Sequence, residues 1–352
     1  MEVEEILLTL LKTYTPSGEE RKLEPDMKRL QKELGYDELI IDKTGNYLLI
    51  RGSGEKTILL ASHVDTVPGE LAVSQRSGVI IGRGAVDAKG PLAAMIYAGA
   101  KAPIGPDYRV VVAGLVDEEG AGTGALGLLE SGFTADHIIV GEPTGVIGIA
   151  ISYRGSLTFT LTASGRGGHS SAPYVGDSAL DKLLNAINEV KAVFSGSSYE
   201  ETTSAVTMIR AGDWPTKLPE RAEATINIRF PPGIDTSSIL EKVEVIASLH
   251  ECKLSIIDST EPFSTSLSSP VPRALIRSII KHGLKPKILK KTGTSDMNIL
   301  FKMSSDIAAC GPGNSLLAHT PNEKISVEEL SLSSSIYIKA IEELSKKRVS
   351  HS

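Results

Sequence analysis

The chain has 352 residues, of which 41% are hydrophobic and 23% charged, with a formal net charge of -6. That length exceeds one ordinary core, so two domains are expected, and the acidic balance, with no basic patch interleaved with aromatics, argues against nucleic acid. No apolar stretch reaches the roughly 20 residues of a membrane helix, and the acidic start MEVEEILLTL lacks the basic region and cleavage site of a signal peptide, so a cytoplasmic protein with no membrane partner is expected.

From Thr57 onward, apolar runs of strand length alternate with helix-like segments: Thr57 to Ser62, Pro91 to Ala100, Arg109 to Val116, Gly124 to Ser131 and His137 to Val140. Such alternation predicts an α/β layer with a mixed, largely parallel sheet flanked by helices. Pro91 suits a first helical position, where its missing N–H has no partner to lose. From about Gly148 the pattern turns to period two, in Ser156 to Gly165, Thr203 to Gly212 and Arg221 to Phe230, with helix-like stretches at Asp177 to Phe194 and after Pro231-Pro232-Gly233. This predicts an inserted α+β domain of order β-α-β-β-α-β. After Pro262 the first style returns, with a helix over Pro270 to His282, a strand over Asp306 to Cys310 and a closing helix from about Ser326. The expected division is 1–147 and 261–352 for the α/β domain and 148–260 for the insert.

Chemistry-bearing residues gather just past the ends of the apolar runs, where ligands bind in α/β sheets. His63 and Asp65 follow ILLAS, Glu118 and Glu119 follow VVVAGLV, Glu142 follows IIVG, Asp87 lies in the glycine-rich turn GRGAVDAKG, and His319 follows a Gly-Pro loop. Each has an ordinary alternative: a structural His, a turn Asp, a solvated carboxylate. Adjacent carboxylates beside a buried run are costly unless cations neutralise them, and an Asp behind a His is a common device for fixing an imidazole as a ligand. Two imidazoles and three carboxylates together suit zinc or a similar divalent ion. Cys252 and Cys310 stand far apart and form no CxxC, so neither a disulfide framework nor a thiolate zinc site is indicated.

The blocks HVDTVPG, GRGAVDAKGP, DEEGAGTGA, GEPTG and AHTPNE, in that order over nearly the whole chain, resemble the M20 family of co-catalytic metallopeptidases and amidohydrolases. The resemblance implies a zinc-peptidase-like catalytic domain, an inserted dimerisation domain, and two divalent ions per subunit, zinc or cobalt. His63 and Glu142 would hold one ion, Glu119 and His319 the other, with Asp87 bridging; Asp65 would orient His63, and Glu118 would be the general base. The family also implies a cis bond after Asp87. His169, in GRGGHSSAP, resembles the histidine that the family lends across a homodimer interface to the oxyanion. Arg229, aided by Asn227, and the loop residues Gly293, Thr294 and Ser295 resemble positions that hold a substrate carboxylate.

Within the family the chain is most similar to hydrolases that release lysine or ornithine from the γ-carboxyl of a C-terminal Glu on a small acidic carrier protein, in lysine and arginine biosynthesis. Deacylases of acetylornithine, acetyllysine or succinyl-diaminopimelate, and dipeptidases, share the same catalytic residues and are the alternative. A non-catalytic metal-binding protein would be favoured by loss of a ligand or of the base, and every one of these positions holds the expected residue type. Lys281, Lys285, Lys287, Lys290 and Lys291 cluster before the loop at 293–296, a basic rim suited to an acidic partner.

Overall fold

The structure is a computed structural model that describes residues 1–346; positions 347–352 of the expected closing segment lie outside the described residues. The chain divides into two compact units, one made of Met1–Ile151, Thr265–Leu289 and the chain from Ser295 onward, the other of Ser152–Ser264 and Lys290–Thr294.

The first unit is built on a sheet whose centre is parallel. Tyr108–Leu115, Lys56–His63, His137–Val140 and Ile307–Ala309 lie side by side in that order, each parallel to the next. Tyr47–Arg51 and Gly148–Tyr153 flank them antiparallel. The runs ILLAS and VVVAG are apolar without alternation because these strands are buried on both faces. Helices Val3–Lys12, Lys89–Lys101 and Val327–Ser345 contribute to one core with Leu7, Ile58, Leu60, Leu92, Val110, Val112 and Ile336. Each such side chain stabilises the fold by about 1.5–3 kcal/mol through burial, and Leu60→Ala would cost about 2–5 kcal/mol.

Pro91 is the third residue of its helix, not the first; it is tolerated there because the first four N–H groups of a helix have no intrahelical acceptor. In the same helix Gly99 is required sterically, since a Cβ there would stand 2.4 Å from the Tyr36 hydroxyl and 2.6 Å from a Val112 methyl. The parallel strands all end at one edge. His63 is the last residue of its strand, Glu118 and Glu119 follow Tyr108–Leu115, and Glu142 follows His137–Val140.

The second unit has the expected β-α-β-β-α-β order. Its antiparallel sheet runs Thr203–Ala211, Arg221–Phe230, Gly155–Ser164, Cys252–Thr260. Strict alternation in RAEATINIRF buries Ala222, Ala224, Ile226, Ile228 and Phe230. These pack with Phe159, Leu183 and Val243, the last two from helices Ala179–Val193 and Thr236–Leu249. Ser178 and Asp235 cap those helices by accepting from Asp181 N and Ser238 N. Among the described residues no helix is long and apolar enough to cross a membrane.

Candidate metal centre

At the strand-end edge of the first unit, Asp87 lies between the two imidazoles. Its Oδ1 is 3.2 Å from His63 Nε2 and its Oδ2 is 3.3 Å from His319 Nε2. His319 Nε2 also meets Glu119 Oε1 at 2.7 Å. Two groups of ligand atoms form, His63 with Glu118 and Glu119, and Asp87 with Glu119 and His319, all within 4.8 Å inside each group. Imidazole nitrogens and carboxylate oxygens in sets sharing one member are the donors a pair of divalent transition ions takes. Glu142 stands outside both groups, though its charge acts on Glu118. The Asp87–Ala88 bond is cis, as the family resemblance implies.

The charges of this set act on one another. Burial opposes a proton on His63, but Asp65 and Asp87 outweigh it and hold the imidazole pKa well above its usual value. Asp87 raises His319 to about 9, with Glu119 adding to the effect against partial burial. Burial would raise Asp87, yet the two imidazoles hold its carboxyl far below the usual range. A carboxylate with one oxygen turned to each of two imidazoles can offer an oxygen to each of two metal ions.

Asp65 is wholly buried and does more than orient one ring. The strand runs to His63, and the chain continues without a turn, Val64 N donating to Leu115 O at 2.8 Å, so that Asp65 lies two residues past the ligand ring. His63 Nδ1 is 2.9 Å from the Asp65 carbonyl and 3.3 Å from its Oδ1, which leaves Nε2 for Asp87. The same carboxylate accepts from Glu118 N and Glu119 N, each at 3.1 Å, and from the Ser17 hydroxyl at 2.6 Å. One side chain thus anchors a ligand ring and the backbone carrying both adjacent glutamates. That loop must turn sharply back into the helix Thr123–Glu130, and a Cβ at Gly124 would lie 2.3 Å from Val116 O.

Glu118 has the environment of a carboxyl that holds a proton more readily than usual. Burial pushes its pKa well up, and Asp296, Glu142 and Asp87 add to this against His63; a carboxyl so raised can both accept and donate a proton. Asp296, buried at the start of a short helix, is itself pushed to about 7, first by burial. Ser17 lacks a local sequence signal for its position, since a Ser in a Thr-Pro-Ser-Gly turn reads as a turn residue; Asp296 closes the loop Gly293 to Asp296 that the resemblance gives to a substrate carboxylate, and nothing in the sequence signals its effect on Glu118.

The remaining expected residues fall mostly in the second unit. His169 is exposed on the short strand Gly168–His169; its Nδ1 accepts from Ser171 N at 3.1 Å, which puts the ring proton on Nε2. Arg229 Nε donates to Asn227 Oδ1 at 3.0 Å, and Asn227 Nδ2 donates to Ser156 and Thr158 hydroxyls at 3.0 and 2.8 Å. Arg229 Nη1 is buried with no hydrogen-bond partner, a donor left for an acceptor from elsewhere. Gly293 and Thr294 are exposed in this unit, whereas Ser295 belongs to the first unit and its N–H is already donated to Asn298 Oδ1 at 3.0 Å. Of the expected basic rim, Lys281, Lys285 and Lys287 are exposed in the first unit; Lys290, in the second, is bound to Glu200 at 2.5 Å and lies over the Tyr199 ring.

Residues 59–343 match the profile of peptidase family M20/M25/M40. The [LysW]-lysine/[LysW]-ornithine hydrolase of Sulfurisphaera tokodaii is 38% identical over 351 residues, covering 98% of this chain and 96% of that protein. The fold is shared with aminopeptidase PepT from Bacillus cereus, at a TM-score of 0.84 and 21% identity over 98% of both chains. It is shared also with a dinuclear metal binding peptidase from the M20 family of Bacillus subtilis, at a TM-score of 0.74 and 14% identity over 96% of both. The chain therefore belongs to peptidase family M20/M25/M40 and is a metal-dependent hydrolase acting on amide bonds.

Proposed function

We propose that this protein is a two-metal amidohydrolase that releases lysine, ornithine or both from the γ-carboxyl of the C-terminal Glu of a small acidic carrier protein, in lysine and arginine biosynthesis. The observation that carries the chemistry is Asp87, with one carboxylate oxygen turned to each of two imidazoles. What supports the substrate is the near-full-length similarity to a hydrolase named for that carrier. Zinc or cobalt suits the donor set: His63 and Glu142 would hold one ion, Glu119 and His319 the other, and Asp87 would serve both.

When bound, such ions supply a Lewis acid for the amide carbonyl and lower the pKa of the attacking water. Glu118 takes the proton of that water as the C–O bond forms, and hands it to the nitrogen as the C–N bond breaks, so lysine or ornithine leaves as a neutral amine and is protonated afterwards. Asp65 keeps Glu118 in register through the Glu118 N–H. His169 of a second copy, with its proton on Nε2, donates to the oxyanion. Arg229, oriented by Asn227, and the loop of Gly293, Thr294 and Ser295 take the carboxylate of the substrate.

A homodimer is supported by the second unit's edge strand Thr203–Ala211, which beyond a single bridge from Ser195 to Thr203 has a sheet neighbour on one side among the described residues and exposes Val206, Met208 and Ile209. The exposed Lys281, Lys285 and Lys287 suit an acidic carrier, and a cytoplasmic setting suits a biosynthetic enzyme. Metal-supplemented hydrolysis of carrier-linked lysine, against free N-acetylornithine and N-succinyl-diaminopimelate with Glu118→Ala as the blank, tests the proposal. Strong preference for the conjugate is expected. Preference for a free acyl amino acid would keep the chemistry and reject the carrier.

A further inference from the structure

We infer that Arg83 and Glu323, neither of them a metal ligand, form a positioning clasp that fixes the Asp87 and His319 loops at the spacing needed to hold the ion on the His319 side. The inference rests on the two-metal reading and adds residues to it.

Both side chains are buried, Arg83 to 8% exposure and Glu323 to 1%. A charge so far from water is costly unless paired and hydrogen-bonded, and here each is paired with the other and bonded to backbone. Glu323 Oε1 accepts from the N–H groups of Gly84, Val86 and Asp87 at 3.0, 3.0 and 3.1 Å, while Oε2 accepts from Arg83 Nη1 at 2.8 Å. Arg83 Nη1 also donates to Thr320 O at 3.1 Å, and Arg83 Nε donates to Gly69 O at 2.8 Å.

The targets of these bonds give the clasp its role. One of the three N–H groups belongs to Asp87, so Glu323 holds the backbone of the expected bridging ligand directly. Thr320 is the neighbour of His319, whose own backbone sits in the left-handed region at φ 62°, a conformation that a non-glycine residue keeps only when its surroundings impose it. Segments far apart in the chain are thereby tied at the point where Asp87 Oδ2 and His319 Nε2 stand 3.3 Å apart. An ion pair serving general stability alone has no need to converge on the backbone of one ligand and the neighbour of another.

The test is equilibrium dialysis of metal-free wild type, Glu323→Gln and Arg83→Lys against Co²⁺ buffered by a chelator, with thermal melting of each metal-free chain. Wild type is expected to bind two ions. Each variant is expected to melt cooperatively, to bind one ion as wild type does, and to bind the second about 10–100-fold more weakly, the usual effect of losing an outer partner of a ligand. Folded variants that bind both ions with wild-type affinity would overturn the inference and leave the clasp a structural ion pair. Should Glu323→Gln not fold, Arg83→Lys, which keeps a cation against Glu323, decides alone. A wild-type chain that binds a single ion would overturn the two-metal reading itself, a failure visible before any substitution is compared.

Discussion

Replacing Asp65 by Asn changes almost no volume and removes one charge, so its effect measures what that buried carboxylate does. In the native site its oxygens accept from Glu118 N, Glu119 N and the Ser17 hydroxyl, with His63 Nδ1 close by. An amide has one acceptor oxygen. Whichever way it is placed, its NH2 faces either Glu118 N or Glu119 N and leaves that donor without a partner; the Ser17 hydroxyl can rotate, a backbone N–H cannot. One orphaned buried donor costs about 1–3 kcal/mol, and the surviving bonds lose charge assistance worth about 1 kcal/mol more. A total of about 3 kcal/mol, taken up as displacement of the Glu118–Glu119 loop, corresponds to about a 100-fold fall in kcat/KM at saturating metal. Burial would raise the Asp65 pKa, but the bonds from His63, Ser17 and the Glu118 N–H lower it. A depressed carboxylate contributes stability that is present above its unfolded value of about 3.9 and is lost as pH falls through the folded value. The melting temperatures of metal-free wild type and Asp65→Asn should therefore differ at pH 6 and draw together as pH falls from about 4 through the folded value. Activity of Asp65→Asn within about threefold of wild type would refute the reasoning.

Three further outcomes are expected. Glu118→Gln should lower kcat by about 10²–10⁴-fold while binding both ions as wild type does; lost metal would make Glu118 a ligand and not the base. In the metal-free protein the raised His319 pKa contributes stability that is fully present below about 6.5 and is lost as pH rises toward about 9, so the melting temperature should fall across that window. His319→Ala should remove much of that slope, and an unchanged slope would assign it to another group. Mixing inactive His169→Ala with inactive Glu118→Ala should restore part of the activity through heterodimers, and continued inactivity of a mixture proven to exchange subunits would reject donation by the partner.

Much of the fold was legible because its signals are periodic. Lys56–His63 and Tyr108–Leu115 are unbroken apolar runs, and Arg221–Phe230 alternates along its length, so strand type and even the buried face could be read from residue order. The strands Glu38–Ile41 and Tyr47–Arg51 were not legible, since each spans only four or five residues and takes its conformation from pairing with neighbours. The gathering of His63, Asp87, Glu119 and His319 was legible only as ordered blocks, because residues as distant in the chain as Asp87 and His319 carry no local sign that they meet. The connections of Asp65 to Glu118 N and of Glu323 to Asp87 N were not legible, because a backbone N–H is present at nearly every position and leaves no mark in the sequence. Ser295 shows the converse: the residue type fits a carboxylate-binding loop, yet its N–H is committed to Asn298.

The most direct test of the central claim, a two-metal site organised around Asp87, is the number of Co²⁺ ions bound per chain at saturation by Asp87→Ala beside wild type. The account predicts two ions in wild type and a loss of affinity for both in the variant, since the bridging carboxylate faces each imidazole. Independent retention of either ion at wild-type affinity in Asp87→Ala, or a single ion in wild type, would contradict it.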